Sequence, residues 1–227
     1  MKIHNVFIAA LGSEIKYYTA LVRSLDSSLG NMLEKMAINI AGLFYTVKKR
    51  VEGYLHEKQT AKIAELLEKY KRYEIKPRNK DYSSLRLNYK FKKNIPKRHE
   101  SDYYLIDEEN NRHYLIELKI GGDLDNKKAR SEKEALLEQY SILSNTLSKN
   151  TAIKIYFATA YNRFGEDKYW KQERVRQYFS DNELLIGKDF WNFICKSSSG
   201  YDLVINEYKK NAKYIVTALN KIKGVYL

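Results

Sequence analysis

A strand, helix, strand pattern between residues 113 and 160 restricts the fold more than any other feature of this sequence. Residues 113–120 and 153–160 are apolar runs of strand length, and the second is apolar at most positions, as expected of a strand covered on both faces. Between them a Gly-Gly pair ends the first run, and an apolar stripe at helical spacing extends to about residue 148, with Asp125 or Asn126 as the capping residue. This order predicts two parallel strands joined by a right-handed crossover helix.

The segments on either side complete the prediction of a mixed α/β fold. Residues 13–73 carry apolar side chains at helical spacing, which predicts two or three helices joined near Gly30 and Gly53. Past residue 77 the period becomes two, which predicts a strand over residues 85–92 with one basic face. The runs 102–106 and 113–120, with turn-forming residues between them, predict an antiparallel hairpin. Three more helices are expected around residues 173–179, 189–195 and 201–222.

These elements predict a single domain over residues 1–227. It would consist of a helical N-terminal layer at residues 1–75, a mixed-sheet core at residues 76–165 and C-terminal helices at residues 166–227. An apolar share of 44% is sufficient for a hydrophobic core of this size.

The chain is strongly basic, with a formal net charge of +13, which favours an anionic partner such as nucleic acid. Much of the excess lies in residues 71–98, which hold eleven Lys and Arg against two acidic residues. No apolar run reaches the roughly 18 residues of a transmembrane helix, and the single Cys195 excludes a framework of internal disulfides. We therefore expect a cytoplasmic protein that makes no membrane contact, and the absence of a phosphate-binding glycine loop predicts no nucleotide cofactor.

Two opposite charges, Glu117 and Lys119, interrupt the apolar run before the crossover helix. Residues two apart in a strand share a face, and an ion pair buried on a sheet costs on the order of several kcal/mol per ion unless a ligand compensates. Asp102 begins the other strand of the predicted hairpin, so the pairing brings it beside Glu117 or Lys119, depending on the register. Two carboxylates and the intervening carbonyl of Leu118 can hold Mg²⁺, and a lysine beside them can orient or deprotonate a water, which is the chemistry of phosphodiester hydrolysis.

Basic and polar side chains in two segments are candidates for contacts with DNA. The first set alternates along the predicted strand 85–92, where it could follow a DNA backbone or enter a major groove, although a charged edge strand explains it equally well. The second set lies in the first turns of the crossover helix, where backbone amides and basic side chains can hold a phosphate, and the alternative there is a solvated helix face. The candidates are Arg86, Asn88, Lys90 and Lys92 in the first set, and Lys127, Lys128 and Arg130 in the second.

Asp102, fourteen further residues and then Glu117-Leu118-Lys119 resemble the PD-(D/E)XK motif of nucleases, with Ser101 in the place of the usual proline. The hairpin, crossover helix and following strand are also in the order of that family's αβββαβ core. The run ELKIGGDLDNKKARSEKEALLEQY is similar to type II restriction endonucleases of the TdeIII kind, and GKDFWNFIC and YDLVINEYKKN add to this likeness. The resemblance covers residues 102–211. Chain length and lysine-rich composition also suit a rare-cutting enzyme such as SwaI, for which no residues align.

The resemblance implies a Mg²⁺-dependent homodimer that cleaves both strands of double-stranded DNA at a palindromic site. It implies Asp102 and Glu117 as Mg²⁺ ligands and Lys119 as the catalytic lysine, with Asp107 as the alternative first carboxylate. Some members of the family draw another acid from an N-terminal helix, for which this sequence offers Glu14, Glu34 and Glu57.

Two other functions fit the same residues. One is a structure-specific or repair nuclease on the same core, which would cut flaps, junctions or ends. The other is a catalytically silent nucleic-acid-binding protein on a nuclease-like scaffold, which would bind in a salt-sensitive manner without cleavage.

Overall fold

One mixed sheet of five strands is the centre of the computed structural model, which describes residues 8, 10, 12–86, 94–122 and 124–226, with the side chains of all of these except 13, 94, 102 and 222–226. The strands lie in chain order across the sheet: β1 (Thr46–His56), β2 (Asn94–Asp107), β3 (Arg112–Leu118), β4 (Ala152–Thr159) and β5 (Leu184–Ile186). The first three pair antiparallel, and β4 and β5 continue the sheet in parallel with β3.

The helices of the described chain precede, connect and follow these strands. They are α1 (Ser13–Ala41), α2 (Glu57–Lys71), α3 (Asn126–Thr146), α4 (Glu173–Arg176), α5 (Lys188–Ile194) and α6 (Gly200–Tyr226), with short 3-10 helices at Asn79–Leu85 and Asp181–Glu183. None of them, within the residues described, is both long and apolar enough to cross a membrane.

Backbone contacts divide the described chain into two compact units. Residues 37–201 form the unit that holds the sheet, and the other consists of the described residues before 37 and after 201, that is, most of α1 and α6. The single-domain organisation expected from the sequence stays a prediction.

The predicted hairpin and crossover are confirmed. β2 and β3 pair antiparallel from Tyr103 opposite Ile116 to Asp107 opposite Arg112, and the turn between them contains Asn111 at a φ of 49°, a conformation that Asn tolerates well. Asp125 caps α3 by accepting a hydrogen bond of 2.8 Å from the backbone N–H of Lys128. β4 then runs parallel to β3, as the strand, helix, strand pattern requires.

The prediction of a helical layer over residues 1–75 was wrong for residues 46–56, which form β1. This strand pairs with β2 and buries Val51 and Leu55, while most of its charged side chains are exposed. Gly30 lies inside α1 rather than between helices, and Gly53 lies in β1 beneath α3. A Cβ at Gly53 would come within 2.7 Å of Ile142 Cγ2, so close packing against α3, and not a helix joint, explains this glycine.

The prediction of a strand over residues 85–92 was wrong at both of its described residues, because Leu85 belongs to a 3-10 helix and Arg86 to the bend that follows. Leu85 is fully buried at the end of the 3-10 helix Asn79–Leu85, and residues 87–92 lie outside the described chain. Asp81 stabilises this helix because its carboxylate accepts hydrogen bonds of 2.9 Å from the backbone N–H of Arg78 and from the hydroxyl of Tyr70. Local side-chain capping therefore prevailed over the alternating pattern.

The two faces of the sheet pack differently. On one face α3 covers a hydrophobic core that includes Leu115 of β3 and Phe157 of β4. On the other face Tyr114 contacts Phe193 of α5, with ring centroids 5.0 Å apart. Odd-numbered residues of β3 therefore face α3.

A buried ion pair anchors α3 to the rest of this unit. Lys133 of α3 is 0% exposed and its ammonium lies 2.7 Å from the carboxylate of Glu183, which is 1% exposed. The hydroxyl of Tyr82 contacts both groups, and the ammonium also lies 4.5 Å from the ring centroid of Phe179. Because an unpaired buried charge is costly, this contact fixes how α3 is turned relative to the sheet.

Candidate active site

The end of β3 carries Glu117 and Lys119 on the face that α3 covers. Glu117 pairs with Phe157 of β4, and the backbone N–H of Lys119 donates to the carbonyl of Ala158 at 2.9 Å, so the ladder to β4 continues past the end of the strand. Because both residues have odd numbers, they share the side of Leu115 and meet the first turns of α3. The expectation that these two charges are neighbours is therefore correct.

The ammonium of Lys119 lies between two carboxylates. It donates a hydrogen bond to Glu117, and its Nζ lies 3.1 Å from Oε1 of Glu132 on α3. The side chains of Lys119, Glu117 and Glu132 are 32%, 13% and 25% exposed, so the cluster is partly buried yet open to solvent. We call these three residues the carboxylate-lysine cluster.

Two opposing effects act on the pKa of Lys119. Burial on its own lowers it, but the hydrogen bond and negative charge of Glu117, followed by those of Glu132, outweigh burial and raise the pKa above its ordinary value. The side chain is therefore an ammonium at neutral pH and acts as a counterion for the two carboxylates.

Glu132 was missed in the sequence, although a signal for it exists. Ala129, Glu132 and Leu136 are three and four residues apart, so a charged side chain lies in line with the apolar stripe of α3. A carboxylate on the buried stripe of the crossover helix should be close to the strand that precedes this helix.

The backbone places Asp102 beside Glu117. Tyr103 is opposite Ile116, so Asp102 precedes and Glu117 follows one paired position of the hairpin. On its other side β2 is irregular: Lys48 pairs with Tyr104 and Arg50 with Glu100, so three residues of β2 face one residue of β1. Asp102 is the middle residue of this bulge, a backbone feature that is common next to active sites because it redirects a side chain.

Asp107 lies at the opposite end of the hairpin. It is opposite Arg112, four residues or about 14 Å along β3 from Ile116. Its carboxylate accepts a hydrogen bond of 2.9 Å from Asn110 and lies 3.1 Å from the ammonium of Lys196. Burial raises its pKa, but these two partners lower it below the ordinary value. Asp107 therefore stabilises the turn and is not next to the carboxylate-lysine cluster.

A tight turn follows Lys119. Gly122 has a φ of 65°, a left-handed conformation that favours glycine. A Cβ at this position would lie 2.5 Å from Thr159 Cγ2 and 2.8 Å from Trp170 Cζ2. Only glycine allows the chain to leave β3 this closely against β4.

The residues predicted to contact DNA have varied surroundings. The guanidinium of Arg86 donates to the hydroxyl of Tyr140 and to the carbonyls of Lys149 and Thr151, at 3.1 to 3.2 Å, and so ties the 3-10 helix to the turn after α3.

The candidates on α3 differ from one another. Arg130 donates to Glu68 of α2 at 2.6 Å, whereas Lys127 and Lys128 are exposed at the start of α3. The other candidates, Asn88, Lys90 and Lys92, lie outside the described residues.

The three N-terminal glutamates considered as additional acids also differ in place. Glu57 is the first residue of α2 and is exposed, whereas Glu14 and Glu34 belong to α1 in the other compact unit.

Glu117 and Glu132 bring two carboxylates together beside Lys119, at the end of β3. Within the described chain, no group of three or more His, Cys, Asp or Glu side chains is arranged to hold a metal. Glu117 and Glu132 nevertheless share one cation, the ammonium of Lys119, and hard oxygen donors that already converge on positive charge are suited to Mg²⁺. The residues present therefore fit the metal that the predicted chemistry requires.

The family model HinfI, described as a type II restriction endonuclease, matches residues 1–212. The chain belongs to this family. No curated protein matches the chain, and no solved structure matches it. The endonuclease thus shares with its family nearly its whole length, including the N-terminal third for which the sequence resemblance offered no counterpart.

Family membership confirms the predicted class. The protein is a sequence-specific DNA endonuclease of a restriction system, acting on double-stranded DNA, and its mixed α/β core agrees with a restriction-endonuclease-like fold. The closer likeness to TdeIII or to SwaI is not supported by this match and stays a prediction.

Proposed function

We propose that the carboxylate-lysine cluster, completed by Asp102, is the Mg²⁺-dependent site at which this endonuclease hydrolyses phosphodiester bonds. The observation that carries the proposal is the convergence of Glu117 and Glu132 on the ammonium of Lys119 at the end of β3. In this proposal Asp102, Glu117 and the carbonyl of Leu118 hold the metal, and Glu132 is a further carboxylate from α3. Bound Mg²⁺ would supply a water of lowered pKa and positive charge against the phosphate.

The role of Lys119 follows from what raises its pKa. While both carboxylates interact with it, the side chain stays protonated and can donate to an anionic phosphate oxygen. If Mg²⁺ were held by the carboxylates, its charge would weaken the interactions that raise this pKa, while the burial that lowers it would remain. The same lysine would then give up a proton more readily, which would suit it to deprotonate the attacking water.

We further propose that the endonuclease works as a homodimer on a palindromic target, leaving 5′-phosphate ends. One chain contributes one carboxylate-lysine cluster, and cleavage of both strands at a two-fold symmetric sequence requires two such sites related by the same symmetry. Lys127 and Lys128, exposed at the start of α3 on the helix that carries Glu132, are the described residues best placed to hold a backbone phosphate.

The test is cleavage of several plasmids and of structured DNA by purified protein, with Mg²⁺ or with EDTA. The variants are Lys119→Met and Glu117→Gln, and the control is Lys154→Met, which removes an exposed lysine from β4 of the same sheet. We expect discrete fragments with 5′-phosphate ends for the wild type and the control. Loss of the catalytic lysine should lower the cleavage rate by roughly a thousandfold.

The other outcomes each contradict a specific statement. Undiminished cleavage by Lys119→Met would refute the site. Cutting confined to flaps, junctions or ends would favour the repair-nuclease alternative, and salt-sensitive binding without any cleavage would favour the silent DNA-binding alternative. Fragments that form equally well in EDTA would refute the dependence on Mg²⁺.

A further inference from the structure

An exposed apolar stripe runs along α1. Its members are spaced alternately by three and four residues, and each large side chain except Leu29 is more than a third exposed: Ile15 46%, Tyr18 39%, Val22 57%, Leu25 37% and Met32 37%, with Leu29 half-buried. We call these six residues the α1 stripe. This spacing is the a and d pattern of a coiled coil, which makes the stripe a seam for another helix.

The α1 stripe is complementary to itself in the antiparallel direction. If a second α1 packs against it in the antiparallel direction, Ile15 contacts Met32 of the second copy, Tyr18 contacts Leu29 and Val22 contacts Leu25. Every layer then pairs an a residue with a d residue, and all layers share one two-fold axis that passes between positions 23 and 24. A surface that matches its own copy about a two-fold axis is what a closed dimer requires.

The charges beside the seam favour the same direction. Glu14 and Lys35 are exposed and both occupy the g position of the heptad. In an antiparallel pair the g positions face each other, so Glu14 of each copy lies opposite Lys35 of the other. In a parallel pair Glu14 would face Thr19 and Lys35 would face Ile40, with no charge attraction.

We propose that the α1 stripe joins two copies of this endonuclease through an antiparallel helix pair. The inference rests on the homodimer proposed above and names the surface that forms it. The occupant is a second copy because both the apolar layers and the flanking charges are satisfied by α1 itself.

The experiment measures the mass of the 26.8 kDa chain in solution by sedimentation over a range of protein concentrations. Val22→Glu places a carboxylate in the central layer, and Ser27→Glu, at the exposed f position of the same helix, is the matched control. We expect the wild type and the control to sediment at twice the chain mass. Val22→Glu should raise the dissociation constant by at least about a hundredfold with unchanged helix content, because two unpaired carboxylates would be buried in each dimer.

A charge exchange tests the direction of the helices. Glu14→Lys and Lys35→Glu each place like charges across an antiparallel seam, and each should weaken the dimer by about threefold to tenfold. The double variant restores opposite charges and should restore the wild-type dissociation constant. Single and double variants that all dimerise like the wild type would overturn the antiparallel pairing.

The outcomes separate the seam from the proposed function. A dimer that survives Val22→Glu as well as it survives Ser27→Glu refutes the α1 seam and leaves the homodimer in place. A wild type that stays monomeric while it cuts both strands refutes the homodimer and the seam together. Neither result bears on the carboxylate-lysine cluster, which is tested by the chemistry variants.

Discussion

The buried pair of Lys133 and Glu183 offers the sharpest test of how this structure is held together. Removing one partner leaves the other charged in a site that is 0% to 1% exposed, which costs about 3 to 5 kcal/mol of unfolding free energy. The two single changes should not cost the same amount, because the two groups have different remaining partners.

Lys133→Met should fall near the lower limit. Glu183 would still accept hydrogen bonds from the backbone N–H of Ser180 at 2.8 Å, from the Ser180 hydroxyl at 2.9 Å and from the hydroxyl of Tyr82. Three donors already stabilise this carboxylate, so we expect a loss of about 3 kcal/mol.

Glu183→Gln should cost more, about 4 kcal/mol, because the ammonium of Lys133 would exchange its charged partner for neutral groups, namely the introduced amide oxygen, the Tyr82 hydroxyl and two aromatic rings. Burial lowers the pKa of Lys133 and the charge of Glu183 opposes this effect, so loss of the carboxylate favours the neutral amine. The double variant should cost no more than Lys133→Met alone, which corresponds to a coupling free energy of at least about 4 kcal/mol.

Urea unfolding followed by tryptophan fluorescence measures all four proteins. Both tryptophans, Trp170 and Trp191, are buried in the unit of residues 37–201, and their emission reports on its unfolding. Single effects that add to within about 0.5 kcal/mol in the double variant would show that the two groups are not coupled, and would refute this account of how α3 is anchored.

Three further predictions concern the active site and its support. Gly122→Ala should lose about 1 to 3 kcal/mol of unfolding free energy from backbone strain and close contacts, whereas Gly42→Ala, which meets nothing nearer than 3.4 Å, should change it little in the same urea titration. Glu132→Gln should raise the Mg²⁺ concentration needed for half-maximal cleavage by about tenfold, because the cluster loses one carboxylate; an unchanged Mg²⁺ titration would exclude this residue from the site. The pair with His99, at 2.8 Å, lowers the pKa of Glu138, so the stability that this carboxylate provides is present above about pH 5 and is lost as the pH falls through its folded value. Urea unfolding at pH 6 and pH 4 should therefore show a smaller acid loss for Glu138→Gln than for the wild type, and equal losses would contradict the assignment.

The sequence alone predicts the elements in which apolar periodicity and local features such as helix capping agree. β3, α3 and β4 could be predicted because two apolar strand segments flank a capped amphipathic helix in the sequence. In the structure α3 begins at Asn126, directly after its capping residue Asp125. The pairing of Glu117 with Lys119 followed from strand alternation alone. These features depend on neighbours in sequence, which a single chain contains in full.

Features that depend on distant partners could not be predicted in the same way. The apolar residues of β1 also suit a helical period, and only the pairing with β2 makes this segment a strand. The contact between Glu132 and Lys119 spans thirteen positions and requires the packing angle of α3 on the sheet. The bulge around Asp102 arises from the mismatch between two strands, so it has no signature in either strand alone.

The neighbouring positions of Glu132 and Lys133 have a consequence for how this enzyme can vary in length. Consecutive helical residues point about 100° apart, and here one reaches the cluster at the end of β3 while the next enters the core. With the Asp125 cap fixed, one residue inserted or deleted between this cap and Glu132 would rotate both side chains by about 100° about the helix axis, away from Lys119 and Glu183. The hairpin turn at residues 108–111 joins β2 and β3 without such a double requirement. Homologues of this endonuclease should therefore gain and lose residues in that turn and keep the distance from Lys119 to Lys133 constant.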